Sequence, residues 1–262
     1  MAQTIAVLSQ KGGTGKTTAV RTLADAFRRS GVRTLAIDLD PQGNLSDYFD
    51  LPPDVTPTIA EVLGGSSQAP EAIHDDLIPA NLTLAEAELM LGGKMGRELT
   101  LRRALAKTPE QYELILIDCP PSLGLLTVNA LVAADQALVT AEAQYFALQG
   151  VEQAMEVTEL AREGLNPDLT VLGVLLNRAD MRTVHSREAL SSLKERFGEQ
   201  VFDTVVRASI AYAESAERGA SILDYRPVLG ADYLALAEEV VERLPELGDA
   251  RERLARMSSV SR

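Results

Sequence analysis

The sequence predicts an open, doubly wound α/β sheet, mostly parallel, with helices on both faces. Three observations carry that expectation. Short β-rich apolar runs alternate with longer helical patterns along nearly the whole chain, the order a parallel sheet with crossover helices requires. Several of these runs are continuously apolar instead of alternating, as suits strands covered on both sides. The chain is 262 residues long, 46% hydrophobic and 24% charged, a globular composition with room for a sizeable core.

Residues 4–9 (TIAVLS) read as the first strand. Residues 17–30 follow as a helix, with Leu23, Ala26 and Phe27 at helical spacing and Gly31 as its stop. Residues 32–38 (VRTLAID) make the next strand. Residues 50–82, rich in proline and glycine, form an irregular excursion with one short helix over 58–63. Further strands are expected at 113–118 (ELILID), 136–140 (QALVT) and 170–176 (TVLGVLL), with helices over about 86–107, 123–134, 147–164, 183–197 and 230–244. Residues 1–245 are expected to form a single domain. Residues 246–262 form a tail with Leu247, Ala250, Leu254 and Met257 at helical spacing.

Composition excludes several classes. No apolar run approaches the roughly 20 residues of a membrane span, and the N-terminus lacks the basic and apolar regions of a signal peptide. A single cysteine, Cys119, rules out an intramolecular disulfide, and with only His74 and His185 a cysteine- or histidine-rich metal site is excluded. A cytoplasmic protein is expected. The net charge of −13 argues against tight polyanion binding, yet it is uneven: residues 1–177 carry 12 basic and 23 acidic side chains, residues 178–262 carry 13 and 15. A nucleic-acid surface is therefore expected mainly in the C-terminal third.

The strongest chemical signal lies between the first strand and first helix: Gln10-Lys11-Gly12-Gly13-Thr14-Gly15-Lys16-Thr17-Thr18. Glycines let the backbone curl so that successive N–H groups face phosphate oxygens, and the helix that follows adds its positive end. Lys16 is expected on the β- and γ-phosphates and the Thr17 hydroxyl on Mg²⁺. The usual first glycine of such a loop is Gln10 here, and a second lysine, Lys11, stands five residues before Lys16. At the end of the next strand, Asp40 is aimed where a γ-phosphate would lie and can orient an attacking water, while Asp38 can hold a water bound to Mg²⁺. The bland alternative for both is a turn or helix-capping aspartate. The run Leu114-Ile115-Leu116-Ile117 ends in Asp118, the pattern of a strand whose terminal carboxylate reaches a magnesium shell. Pro120-Pro121-Ser122 then turn the chain as a candidate switch. Cys119 reads as a small buried apolar residue.

These residues resemble a known family. Lys11-Gly12-Gly13-Thr14-Gly15-Lys16-Thr17-Thr18, Asp38-Leu39-Asp40-Pro41-Gln42-Gly43-Asn44 and Asp118-Cys119-Pro120-Pro121-Ser122-Leu123-Gly124 closely resemble the ParA/Soj partition ATPases of the MinD/ParA superfamily. The match continues through 125–135 and 145–150 and more weakly to about residue 244. The resemblance implies a P-loop NTPase of the deviant Walker A class. It implies a weak, partner-stimulated ATP hydrolase that uses ATP and Mg²⁺ and forms an ATP-dependent homodimer. It makes Lys11 the signature lysine that reaches the partner's ATP, acting with Lys16 and Asp40 in catalysis. Asn177 resembles the adenine-reading position, and Arg207 stands where relatives place a proline beside the adenine.

The family's further pattern is non-specific binding of double-stranded DNA by the ATP dimer, release by a ParB-like activator, and segregation of chromosome or plasmid from a nucleoid-associated cytoplasmic pool. No membrane partner is expected. Only three residues precede the first strand, so no operator-type autorepression is expected. Some positions depart from the pattern: Ala208 and Ala211 replace basic residues, and Glu142 and Gln144 are exchanged. Arg178, Arg182, Arg187, Lys194, Arg196, Arg207, Arg218 and Arg226 are the candidate substitutes for a DNA surface. The alternatives are a MinD-like membrane-surface ATPase, with residues 246–262 as the amphipathic element, and positioning of a non-DNA cargo. A nitrogenase-like iron protein is disfavoured by the single cysteine.

Overall fold

A computed structural model describes residues 2–144 and 147–260. Tyr145 and Phe146, which fall in the sequence match, and residues 1, 261 and 262 lie outside the described residues. In chain order the first half comprises β1 (Gln3–Leu8), α1 (Lys16–Arg29), β2 (Thr34–Asp38), α2 (Asn44–Tyr48), α3 (Ile59–Gly64), β3 (Leu77–Ile78), α4 (Thr83–Leu91), α5 (Thr100–Leu105), β4 (Leu114–Asp118) and α6 (Leu125–Ala133). The second half comprises β5 (Gln136–Glu142), α7 (Ala147–Gly164), β6 (Thr170–Ala179), α8 (Val184–Phe197), β7 (Val201–Arg207), α9 (Ala211–Glu217), α10 (Ile222–Tyr225), α11 (Pro227–Arg243) and α12 (Arg251–Val260).

The seven strands form one sheet in the order β3-β2-β4-β1-β5-β6-β7, every neighbouring pair parallel. Alternate residues of one strand feed opposite core layers. Ile5 and Val7 of β1 pack with Leu23 and Phe27 of α1 and with Leu236 and Val240 of α11. Ala6 and Leu8 pack on the other face with Leu126 of α6 and Val151 of α7. Each fully buried Leu, Ile or Phe in these layers contributes roughly 1.5–3 kcal/mol. Chain direction reverses around β1: the chain moves outward to β2 and β3, returns to β4, then continues through β5 to β7. Such a reversal opens a crevice at the carboxyl ends of the strands.

Several details differ from the sequence expectation. The helix expected over 86–107 is divided into α4, a 3₁₀ turn at Arg97–Leu99 and α5. Gly92 and Gly93 weaken the helix, and Gly96 adopts φ 65°, a left-handed conformation that ends a helix. The excursion over 50–82 contains β3, a two-residue edge strand too short for a periodic signal. Its short helix, α3, is set by a capping box between Thr58 and Glu61, worth about 1 kcal/mol. Strand β7 and helices α2, α9 and α10 have only four to seven residues each and lack a readable period. In the tail, Leu247, Ala250 and Leu254 are buried in the layer beneath α1 and α11.

Candidate nucleotide-binding site

The loop after β1 is held in its curl by its own side chains. Gly13 and Gly15 take φ 77° and 84°, where a side chain would be strained. Ser9, Thr14 and Thr140 form a buried chain of hydroxyls at 2.8 and 2.9 Å, tying the loop to β5. Lys16, 6% exposed, folds into the loop, and its Nζ donates to Ser9 Oγ (3.2 Å) and the Lys11 carbonyl (3.3 Å). These neutral acceptors are weaker partners for an ammonium than a phosphate oxygen. Lys11 itself is exposed at the loop's outer rim.

The register of β2 and β4 sets the acidic wall. Asp38 and Asp118 are direct cross-strand partners, so both carboxylates end at one level beside the loop. Asp38 is fully buried and engaged: Oδ2 accepts from the Ser46 N–H (2.9 Å) and hydroxyl (2.8 Å), and Oδ1 from the Asp40 N–H (3.1 Å). It therefore holds the start of α2. Asp118 Oδ2 accepts from the Thr17 hydroxyl at 2.7 Å, while its Oδ1 is buried with no hydrogen-bond partner. Burial pushes both carboxyls above the usual range, and the charge of Asp38 raises Asp118 further.

An orphaned carboxylate oxygen beside a hydroxyl is a donor set that fits a hard divalent cation. Among the described residues no group of three or more histidine, cysteine or acidic side chains is arranged to hold a metal alone, so such a cation would also need ligand oxygens and water. Asp40, 8% exposed, accepts from the Gln42 N–H at 3.0 Å and borders the same cavity as Lys16 and Thr17.

That cavity has a volume of about 1010 Å³ and runs from Gly12 and Lys16 to Asn177, Tyr212 and Tyr233. Its far wall is apolar and aromatic, with Tyr212 and Tyr233 edge-to-face at 5.9 Å, and Tyr48 tied to Ser215 at 2.6 Å. Asn177, at the end of β6, lies against the phosphate loop: its amide nitrogen is 3.4 Å from both the Gly15 carbonyl and the Tyr233 hydroxyl. A Cβ at residue 15 would stand 2.4 Å from that nitrogen, a second reason for glycine there. Arg178, in the left-handed region at φ 52°, donates to the Gly13 carbonyl at 2.7 Å, with Glu142 3.7 Å away.

The structure thus brings Gly12, Gly13, Gly15, Lys16, Thr17, Thr18, Asp40 and Asn177 to one cavity, with Thr14 and Asp118 immediately behind it. It does not bring the Arg207 side chain there. That guanidinium is bound to Asp232 at 2.8 Å and to the Val228 carbonyl, and the cavity is lined instead by the following residues Ala208, Ser209 and Ile210. Sequence reasoning missed Tyr48, Tyr212 and Tyr233 as a wall, because tyrosines on three separate helices, α2, α9 and α11, carry no shared spacing. Most of the cations considered for a DNA surface are already paired: Arg178 with Glu142, Arg182 with Asp180, Lys194 with Asp203, Arg196 with Glu152 and Arg207 with Asp232. Arg218 and Arg226 both lie over the Tyr225 ring. Cys119 is fully buried, and burial pushes its thiol well above the ordinary range.

Residues 2–171 match the family model of an AAA domain. The chain is 37% identical to the sporulation initiation inhibitor protein Soj of Bacillus subtilis, over 92% of this chain and 98% of that protein. It is equally identical to the chromosome partitioning protein ParA of Myxococcus xanthus, over 91% and 88%, and 40% identical to an uncharacterised protein of Mycobacterium tuberculosis, over 92% and 79%. Among solved structures it is similar to a cobyrinic acid a,c-diamide synthase of Mycobacterium smegmatis with bound ADP and magnesium, at 38% identity, TM-score 0.76 and coverage of 88% and 94%. It is also similar to the septum site-determining protein MinD of Pyrococcus horikoshii with Mg-ADP, at 25% identity, TM-score 0.74 and coverage of 92% and 96%.

Proposed function

The chain belongs to the ParA/Soj-type partition ATPases of the MinD/ParA superfamily, P-loop enzymes that hydrolyse ATP, and on that premise we propose that it is an ATP-driven dimerisation switch serving DNA segregation. One observation carries the reading: Lys16, the Thr17–Asp118 pair with its orphaned oxygen, and Asp40 converge on the near end of one cavity. The loop N–H groups and Lys16 bind the phosphates. Thr17 and Asp118 would hold Mg²⁺, which would supply neutralisation of charge on the phosphate oxygens. Asp38 fixes the segment that carries Asp40, and Asp40 orients the attacking water and accepts its proton. At the far end Asn177 and the tyrosine wall take the base. Lys11, exposed at the rim, supplies a cation to the nucleotide of a second copy, so the charge of the γ-phosphate is offset only in the dimer.

The ATP dimer binds double-stranded DNA without sequence preference, and a ParB-like activator triggers hydrolysis and release. The cargo is a chromosome or plasmid, and the working location is the nucleoid. A MinD-like membrane role is disfavoured because Leu247, Ala250 and Leu254, the apolar side of the tail, are buried in the fold. Among the described residues, no helix is long and apolar enough to cross a membrane.

Sedimentation with ADP or ATP, on the wild type and on Lys11→Ala, tests the switch. The wild type is expected to dimerise with ATP and not with ADP. Lys11→Ala is expected to bind ATP as a monomer and dimerise at least about tenfold more weakly, the cost of losing one charge-assisted contact. A full-strength dimer of the variant overturns the role of Lys11 in trans.

A further inference from the structure

On the face of the sheet carrying α3 and α5 there is a second hollow, of about 550 Å³. The turn of Gly64, Gly65, Ser66 and Ser67 after α3 walls one side, and Lys94, Thr100, Arg103 and Lys107 wall the other. Three cations line it. Lys94 Nζ donates to the Gly64 carbonyl at 3.2 Å, which fixes the ammonium at the rim. Among the described residues, no carboxylate lies within ion-pair distance of Lys94, Arg103 or Lys107. Among the described residues twelve other lysines and arginines do have such a partner, while Arg187, Arg218 and Arg226 are among those that share the lack of one but line no common hollow with these three. The one acidic side chain lining the hollow, Glu71, is turned to the Ser67 hydroxyl (2.7 Å) and the Gln68 N–H (2.8 Å). Arg103 and Lys107 are four residues apart, and the Lys107 N–H continues the last turn of α5 by bonding to the Ala104 carbonyl at 3.1 Å, so both rise from one side. Residues 94–107 hold five basic side chains and one acidic, in a chain of net charge −13.

A concavity with three cations against one carboxylate, Glu71, whose charge Lys107 also feels, with serine and threonine hydroxyls and an open glycine turn, suits the oxygens of phosphate groups. We propose that this hollow is a contact site for the backbone phosphates of double-stranded DNA, a placement that rests on the DNA-binding reading above. It moves the DNA surface out of the C-terminal third, where the cations are largely paired, onto α5 and the turn before it. The contacts touch no base, so the binding carries no sequence preference.

The test is the salt dependence of binding to a random-sequence duplex in Mg-ATP, for the wild type and for Lys94→Ala/Arg103→Ala/Lys107→Ala. Three lost phosphate contacts flatten the slope of log K against log salt by about 2.7. The companion Lys94→Arg/Arg103→Lys/Lys107→Arg is expected to keep the wild-type slope. ATP turnover without DNA and thermal melting are expected to match the wild type in both variants, which separates a lost contact from a damaged fold. If the wild type binds and the alanine variant keeps its slope, the placement is overturned while the DNA reading stands. If the wild type does not bind DNA in Mg-ATP, the DNA reading itself falls, and the placement with it. Retention on anionic phospholipid vesicles that the alanine variant loses, with its DNA slope unchanged, assigns the hollow to a membrane surface and also overturns the proposal.

Discussion

At the β4 end of the cleft, Asp118 keeps one buried oxygen without a partner, whereas at the β7 end Arg207 is fully engaged by Asp232 and the Val228 carbonyl. Both residues carry a full charge when ionised, and both end a strand of the same sheet. The difference lies in what the surrounding chain supplies. Around Asp118 the nearest strand neighbour is another carboxylate, Asp38, so folding concentrates like charges and leaves a demand that only a cation meets. Around Arg207 an opposite charge from α11 closes the account locally. A buried group with unmet bonding capacity marks where a ligand enters, and a satisfied one marks where the frame is held.

The comparison breaks first at Lys16. On the unfinished wall, replacing Lys16 with Ala is expected to remove roughly 2–5 kcal/mol of nucleotide binding, seen as loss of the calorimetric signal on titrating ATP. Binding within a few-fold of the wild type would show that the loop is not the phosphate site. Next comes Asp40→Ala, which is expected to lower kcat by about 10²–10⁴ while leaving ATP affinity within about threefold. Wild-type turnover in that variant removes Asp40 from the chemistry.

The pH dependence of stability sharpens the same contrast. Burial raises Asp38 to about 6 and Asp118 to about 8, so the folded state retains protons that the unfolded chain releases near pH 4. The stability those protons contribute is full below about pH 4 and is lost as pH rises through about 8. The melting temperature of the nucleotide-free protein should therefore fall between about pH 5 and pH 8.5, and Asp118→Asn should remove most of that slope. A flat profile in the wild type would mean that the acidic wall is not under electrostatic load. The smallest effect is expected on the finished wall. Arg207→Ala breaks a half-exposed pair and should cost no more than about 1 kcal/mol of stability, with KM for ATP changed less than about threefold. A tenfold rise in KM would show that Arg207 leaves Asp232 to hold the base.

The long elements and the phosphate loop were legible because each is repetitive or dense in its own sequence. The continuous run Leu114–Asp118 became β4 within one residue of the expected start, and residues 147–164 formed a helix with the expected bounds. Reading failed where geometry is made by distant partners. Nothing local announces that Asp232, on α11, takes Arg207, or that Asn177 leans on Gly15 across 162 positions of chain. The basic hollow was hidden differently. Five cations between 94 and 107 are visible in the sequence, but an average over residues 1–177 submerged them in an acidic background.

Ser46 joins the cleft to the edge of the sheet. Its hydroxyl donates to Asp38 at 2.8 Å and accepts from the Ala80 N–H at 2.9 Å, while the Ala80 carbonyl lies so near Gly43 that a Cβ there would stand 2.9 Å away. The Ala80 amide is thus coupled through a single serine to the buried Asp38 carboxylate. Deuterium uptake at that one peptide group, outside the cavity, is expected to slow on adding nucleotide if binding tightens the Asp38–Ser46 contact, and unchanged uptake would uncouple the sheet edge from the cleft.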